Sequence, residues 1–200
     1  MSIIAANLQA VEATIMRSVQ ASERARSDVQ LLAVSKTFPA QAVLEAMASG
    51  QTAFGENYLQ EALDKIANVA QAQPEARVEW HFIGPIQSNK TRPIAANFHW
   101  VHTVERLKIA QRLSEQRPPE LGPLNICLQV NISGEASKSG ATEAELPELA
   151  RAVAQLPNLR LRDVCDLVER FLQIVFTEGG LPGRHRFEHR LRRKRLGNSQ

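Results

Sequence analysis

Short apolar runs alternate with helix-like segments along most of this 200-residue chain. Each run is bounded by a turn, and apolar residues then recur at spacings of three and four, which is typical of a helix. The runs predicted as strands are residues 29–35, 52–54, 78–83, 98–101, 124–132 and a sixth beginning at Leu159. Strand and helix alternation of this kind indicates a parallel sheet with right-handed crossovers.

The intervening segments carry signals for the starts and ends of helices. Pro39 suits a first helical turn, and Gly50 suits the position just after the end of that helix. His102 and Thr103 are expected to cap a helix after the fourth strand. Thr142 and Glu145 have the spacing of a capping box.

The first apolar run, LLAVSK at residues 31–36, delivers a lysine to a turn that contains Pro39. Removing an ammonium from water is costly, so burial favours the neutral amine. A neutral amine is a nucleophile toward carbonyls, and Lys36 is therefore a candidate for Schiff-base chemistry. The alternative is that Lys36 extends from the strand end into solvent.

Polar residues also follow the other predicted strands. Because the carboxyl ends of parallel strands share one edge of the sheet, these residues are expected to converge there. The set is Lys36, Glu56, Asn57, His81, His102, Asn131 and Lys138. Structural alternatives stay open: His81 as a hydrogen-bonded core histidine, His102 as a cap neighbour and Lys138 as a solvated loop residue.

Several classes of protein are not indicated. The length suggests one domain, at the low limit for an eight-stranded α/β barrel. No apolar run approaches the roughly 20 residues that span a bilayer, and no signal peptide is recognised, so we expect a cytoplasmic protein. Cys127 and Cys165 have no partner at metal-ligand spacing and are predicted as buried thiols. Motifs for mononucleotide or dinucleotide binding, zinc proteases and serine hydrolases are missing from the sequence.

Charge is distributed unevenly. Residues 1–162 contain 16 Lys and Arg against 16 Asp and Glu, whereas residues 163–200 contain 8 against 5. We therefore predict an α/β portion at 1–162 and a divergent basic segment at 163–200, with an amphipathic helix at 163–176. Residues 184–195 could bind anions as a basic tail, but specific nucleic-acid binding is not expected because Phe187 is their only aromatic residue.

Six motifs in order resemble one family. The chain strongly resembles the YggS/PROSC family of pyridoxal phosphate homeostasis proteins, single-domain barrels similar to the N-terminal domain of alanine racemase. The motifs are LLAVSKTFP (31–39), FGENYLQEALDK (54–65), EWHFIGPIQSNK (79–90), HTVERLKIAQRL (102–113), LNICLQVNISGEASKSG (124–140) and LPNLRLR (156–162).

This resemblance implies both a fold and a cofactor. The fold would be a TIM-like (β/α)8 barrel of the type that binds pyridoxal 5′-phosphate (PLP), here incomplete with about six βα units. Lys36 would hold PLP as a Schiff base, with Asn57 and His81 in its surroundings and Lys138 in a mobile loop nearby. The family is thought to bind, buffer and deliver PLP, with PLP-dependent apoenzymes as partners, and a monomer is expected.

An amino-acid racemase or lyase is the catalytic alternative. A two-base racemase needs a second general base on the opposite face of the cofactor, usually a tyrosine from another domain. Tyr58 is the only tyrosine of this chain, and it lies in a helix beside a motif. Substrate turnover is therefore not expected.

The sequence departs from the family after Arg162. Family members continue with two further βα units, a Gly-Met-Ser turn and an Arg-Ile-Gly turn, and the two turns form a phosphate-binding cup. The Arg-rich end of this chain resembles translation in a shifted reading frame or another truncating alteration, giving a nonfunctional product as one alternative. We expect low stability and weakened PLP binding, and reading the encoding DNA in the other two frames tests this hypothesis.

Overall fold

The computed structural model describes residues 2–132 and 139–165, and these form a six-stranded parallel sheet with helices packed against it. Every strand pairs with its neighbours in the sequence, so that spatial order and chain order are the same. The strands are β1 (Ala33–Val34), β2 (Ala53–Glu56), β3 (Glu79–Phe82), β4 (Trp100–Val104), β5 (Leu124–Gln129) and β6 (Leu159–Cys165).

A helix precedes the sheet, and a helix connects each pair of consecutive strands. Parallel neighbours require such crossovers, because the chain must return to the same end of the sheet before it forms the next strand. The helices are α1 (Ile3–Ala21), α2 (Ala40–Ala48), α3 (Leu59–Ala72), α4 (Thr91–Asn97), α5 (Leu107–Gln116) and α6 (Leu146–Ala154). This architecture confirms the predicted α/β barrel class.

The core lies between the sheet and the helix layer. Phe54 and Trp80 contact each other across β2 and β3, with ring centroids 5.8 Å apart, and Phe82 meets Phe98 edge to face. Side chains alternate along a strand, so the residues between these aromatics face the other side of the sheet. His81 lies between Trp80 and Phe82 and therefore belongs to that inner face.

Several predicted boundaries are confirmed by hydrogen bonds. The Glu145 amide donates to the Thr142 hydroxyl at 3.3 Å, and the Thr142 amide donates to the Glu145 carboxylate at 3.0 Å, which is a capping box. Gly50 follows α2 with a φ of +90°, a conformation that glycine adopts without strain. Cys127 is buried as predicted, and the side chain of Cys165 lies outside the described part of the chain.

The predicted cap at His102 and Thr103 is wrong. Both residues lie inside β4, and α5 begins only at Leu107. Thr103 donates from its hydroxyl to the Gly84 carbonyl at 2.6 Å, and the following Val104 is fully buried beside β5. These β-branched residues extend the strand that the sequence predicts to end at 101.

The two ends of the sheet also differ from prediction. β1 is two residues long rather than seven, because residues before Ala33 make no ladder with β2. β6 continues through Cys165, which pairs with Gln129 of β5. Residues 163–165 are therefore strand rather than helix, and the remainder of the predicted helix and the basic segment lie outside the described residues. No helix in the described ranges has the length and apolarity needed to cross a bilayer.

Candidate functional site

Lys36 sits in a tight turn directly after β1. The Ser35 amide donates to the Gly55 carbonyl of β2 at 3.0 Å, and the Phe38 amide donates back to the Ser35 carbonyl at 3.1 Å. Thr37 has a φ of +67°, as the third residue of a type II turn requires, although that position usually holds glycine. The turn therefore holds Lys36, half-buried, between two fixed neighbours.

Gly55 lies on the inner face of the sheet next to this turn, where the Ile83 and Leu32 side chains pack against it. A Cβ atom at Gly55 would lie 3.1 Å from Ile83 Cδ1 and 3.6 Å from the Leu32 side chain. Leu32 thus faces inward. Lys36 follows at the carboxyl end of β1, and barrel folds place their ligand sites at this end of the strands.

Asn57 and Gly84 bring the ends of β2 and β3 into close contact. A Cβ atom at Gly84 would lie 2.0 Å from the Asn57 carbonyl oxygen, so only glycine fits there. The amide oxygen of Asn57, Oδ1, is buried and has no hydrogen-bond partner among the residues that the structure describes. A buried polar atom without a partner is unfavourable, and a bound donor would relieve that cost.

His81 and His102 meet on the inner face of β3 and β4. Nδ1 of His81 lies 2.9 Å from Nε2 of His102, and the His81 ring stacks on Trp100 with centroids 5.4 Å apart. Burial lowers the pKa of the His81 ring. Its Nε2 atom is buried and lacks a hydrogen-bond partner within residues 2–132 and 139–165.

Glu79, the first residue of β3, places a carboxylate next to the His81 ring. Its carboxylate accepts hydrogen bonds from Trp100 Nε1 at 2.6 Å and from Gln30 Nε2 at 2.9 Å, and it lies 3.6 Å from His81 Nε2. The His81 ring, followed by Gln30 and Trp100, lowers the pKa of Glu79 to about 2 against the opposing effect of burial. The carboxylate is therefore charged at neutral pH.

A buried pair of charged residues lies on the helix side of the same strand ends. Lys65 of α3 donates to Glu56 Oε1 at 2.6 Å and to the Ser35 carbonyl at 2.7 Å. The Ser35 hydroxyl donates to the same Glu56 oxygen at 2.5 Å. Burial raises the pKa of the Glu56 carboxyl, and the hydrogen bonds from Lys65 and Ser35 oppose it.

Sequence reasoning placed Glu56 at the site edge and missed Lys65. The pattern of α3 predicts Leu59, Leu63 and Ile66 as its buried face, but these residues are only half-buried. The buried row is instead Ala62, Lys65 and Val69. Ala62, Lys65 and Val69 are separated by three and four residues, and this helical spacing was the sequence signal that Lys65 shares a face with two apolar residues.

Two further residues were predicted at the same edge of the sheet, Asn131 and Lys138. Asn131 follows β5, and its backbone N–H donates to the Ala141 carbonyl at 2.9 Å. Lys138 lies outside the described residues. No group of three or more His, Cys, Asp or Glu side chains within the described ranges is arranged to bind a metal ion. The structure thus brings together Asn57 with the strand that carries His81, and His81 with His102.

Comparison with known proteins defines the class first. Residues 6–167 match the family model described as alanine racemase, N-terminal domain. Alanine racemase from Corynebacterium glutamicum shares the fold with a TM-score of 0.56 at 19% identity, over 81% of this chain and 42% of that chain. The fold is therefore that of the α/β barrels related to the N-terminal domain of alanine racemase.

Sequence relatives narrow the class to one family. The pyridoxal phosphate homeostasis protein of Pseudomonas aeruginosa is 63% identical over 169 residues, which are 84% of this chain and 72% of the relative. That of Escherichia coli K12 is 54% identical over 162 residues, 81% of this chain and 69% of the relative. PipY of Synechococcus elongatus, solved with PLP bound, has a TM-score of 0.67 at 32% identity and covers 82% of this chain and 71% of its own. This chain belongs to the pyridoxal phosphate homeostasis protein family.

Proposed function

We propose that this protein binds PLP through a Schiff base on Lys36 and takes part in PLP homeostasis in the cytoplasm. The observation that carries the proposal is the position of Lys36, in a fixed turn at the carboxyl end of β1. Relatives that are named for PLP homeostasis, and one neighbour solved with PLP, support the choice of cofactor.

The described residues suit the aldehyde and the ring of PLP. The cofactor carries an aldehyde, a ring hydroxyl, a pyridine nitrogen and a phosphate, and the first three call for an amine together with polar neighbours. Lys36 provides the amine, and Asn57 Oδ1 is a buried polar atom without a hydrogen-bond partner in the described ranges. We assign Asn57, His81 and Lys138 to the surroundings of the cofactor.

Lys36 and His81 have different chemical roles in this proposal. Lys36 would supply the amine nitrogen for an imine with the cofactor's aldehyde carbon, and the two amine protons would leave with the aldehyde oxygen as water. The His81 ring, whose pKa burial lowers, remains neutral near pH 7 and can donate or accept one proton. When bound, PLP would supply electron withdrawal, a chemistry that homeostasis does not require.

We further propose that the protein turns over no substrate. A racemase acting through two bases needs a second proton carrier on the other face of the cofactor. The single tyrosine, Tyr58, precedes α3 and is 52% exposed, which does not favour such a role. Incubation with alanine or serine is expected to give neither racemisation nor elimination above a protein-free control that contains PLP.

An absorption spectrum after incubation with PLP and desalting tests the binding proposal. We expect a visible imine band in the wild type, its loss in Lys36→Ala, and its retention in Lys108→Ala, since Lys108 is exposed on α5. Borohydride reduction followed by peptide mapping should place the cofactor on Lys36. No band in the wild type, or an equal band in Lys36→Ala, would contradict the proposal.

A further inference from the structure

Ser35, the residue before Lys36, is fixed through all of its polar groups. Its amide donates to Gly55, its hydroxyl donates to Glu56, and its carbonyl accepts from both Lys65 and the Phe38 amide. Ser35 is fully buried, so these bonds do not compete with solvent. The backbone that leads into the Lys36 turn therefore has one favoured position.

Two of these contacts come from a charged pair in an unusual place. Glu56 is 0% exposed and Lys65 is 5% exposed, and both are turned into the layer between the sheet and α3. Removing two charges from water is unfavourable, and replacing a buried ion pair by apolar side chains of similar size is often neutral or stabilising. Stability alone therefore does not account for this pair.

The direction of the bonds suggests what the pair does. Lys65 spans from α3 to the Ser35 carbonyl, and Glu56 Oε1 accepts from both Lys65 and Ser35. On the other side of Lys36, Thr37 is held in the left-handed region. The backbone of Lys36 is thus held on its amino-terminal side by the charged pair, through Ser35, and on its carboxyl-terminal side by the constrained Thr37.

We propose that Glu56 and Lys65 are positioning residues, which act through Ser35 to hold the Lys36 amine in the geometry for attack on a carbonyl. This inference rests on the proposed function of Lys36 in PLP binding. Neither Glu56 nor Lys65 is assigned to contact the cofactor. Misplacement of a reacting group by about 1 Å can cost about 100-fold in rate, so a small shift of Ser35 is sufficient.

A triple apolar variant separates positioning from stability. Ser35→Ala, Glu56→Leu and Lys65→Met together remove the buried charges and leave no member of the group without its partner. We expect this variant to fold with a urea midpoint near that of the wild type and to form the Lys36 imine at least about tenfold more slowly. The single variant Lys65→Arg keeps a cationic donor and is expected to retain most of the rate.

A second readout does not depend on PLP. The reactivity of the Lys36 amine toward acetic anhydride, followed by mass spectrometry as a function of pH, is expected to change its profile in the triple variant. Lys108 serves as the internal reference. Val69→Ala, which shortens a buried apolar residue of α3, controls for loss of stability and should leave the Lys36 profile unchanged.

The outcomes are distinct. Failure of the wild type to form an imine would overturn the proposed function, and the acetylation profiles would still decide whether the charged pair positions Lys36. Wild-type imine formation together with unchanged rate and profile in the triple variant would overturn the positioning role alone. Equal effects in Val69→Ala and in the triple variant would also overturn it.

Discussion

Nδ1 of His81 lies 2.9 Å from Nε2 of His102, so one ring donates a hydrogen bond and the other accepts it. The accepting nitrogen must be unprotonated. The His81 and His102 rings therefore cannot both be positively charged while this hydrogen bond is present. Glu79 lies 3.6 Å from the other nitrogen of His81 and determines where the proton is favoured. A chain of polar contacts thus runs from Glu79, at the start of β3, through His81 to His102 in β4.

We predict that neutral His81 carries its proton on Nε2. The Glu79 carboxylate favours a proton on that nitrogen, which leaves Nδ1 to accept from the Nε2–H of His102. Long-range ¹H–¹⁵N correlation spectra at neutral pH report both tautomers directly. Glu79→Gln should weaken the preference, and a His81 ring protonated on Nδ1 would contradict the assignment.

Stability is expected to decrease as the pH falls below about 6.5, the reference pKa of histidine. Burial lowers the pKa of His81, so the unfolded chain binds more protons than the folded one in this range. The stabilisation is complete above the unfolded pKa and is lost as the pH falls toward the folded value. Glu79, with a pKa of about 2, contributes a further loss only below about pH 4.5. Urea midpoints measured across this range test the direction, and a midpoint that rises on acidification would be inconsistent with it.

Thr37→Gly should relieve backbone strain next to Lys36. A β-branched residue at a φ of +67° costs about 1–2 kcal/mol, whereas glycine loses more entropy on folding by about 0.5–1 kcal/mol. The free energy of unfolding is therefore expected to stay equal or to rise by up to about 1 kcal/mol. Thr37→Pro, which fixes φ near −65°, should lower it clearly. A loss of stability in Thr37→Gly would argue against the strained turn.

Gly84→Ala is expected to disturb the site more than Gly55→Ala does. The added methyl group at Gly84 would meet the backbone of Asn57 at 2.0 Å, whereas at Gly55 it would meet the end of the flexible Ile83 side chain at 3.1 Å. Overpacking against backbone costs about 1–3 kcal/mol or more, and side-chain adjustment costs less. Denaturant unfolding of the two variants gives the comparison, and equal losses would mean that the two strand ends can separate.

Arg117→Met should lower the free energy of unfolding by about 3 kcal/mol. Arg117 is 5% exposed and donates to four carbonyl groups, among them those of Ala95 and Phe98 at the end of α4. Its loss removes this donor from the buried carbonyls of Ala95 and Phe98, whereas the part-buried carbonyls of Leu121 and Gly122 can accept from water. Arg92→Met, on the exposed side of α4, is the control and should change stability by less than about 0.5 kcal/mol.

Local sequence signals were sufficient for the order of the elements. Strand and helix periods differ, and turns such as Gly50 and the capping box at Thr142 and Glu145 mark boundaries that depend only on nearby residues. The same local reasoning led to Lys36, because a lysine at the end of an apolar run is visible in the sequence alone. The order of strands and helices along the chain was therefore predictable, and the role of Lys36 stays a prediction.

Contacts between distant residues were not predictable in this way. The hydrogen bond from Thr103 to Gly84 extends β4 past the point where a cap was predicted. Lys65 reads as a surface residue of an amphipathic helix until Glu56 and Ser35 are placed opposite it. In both cases a tertiary partner outweighs the local preference of the segment, and that partner is more than eight residues away.

The pairing of each strand with the one before it has a consequence for biosynthesis. When a new strand leaves the ribosome, its partner in the sheet and the intervening helix have already been synthesised. The sheet from β1 to β6 can therefore grow in the direction of translation, without waiting for a distant segment to close a long loop. Ribosome-bound chains halted after successive strands should gain protease resistance in steps, from the amino terminus onward.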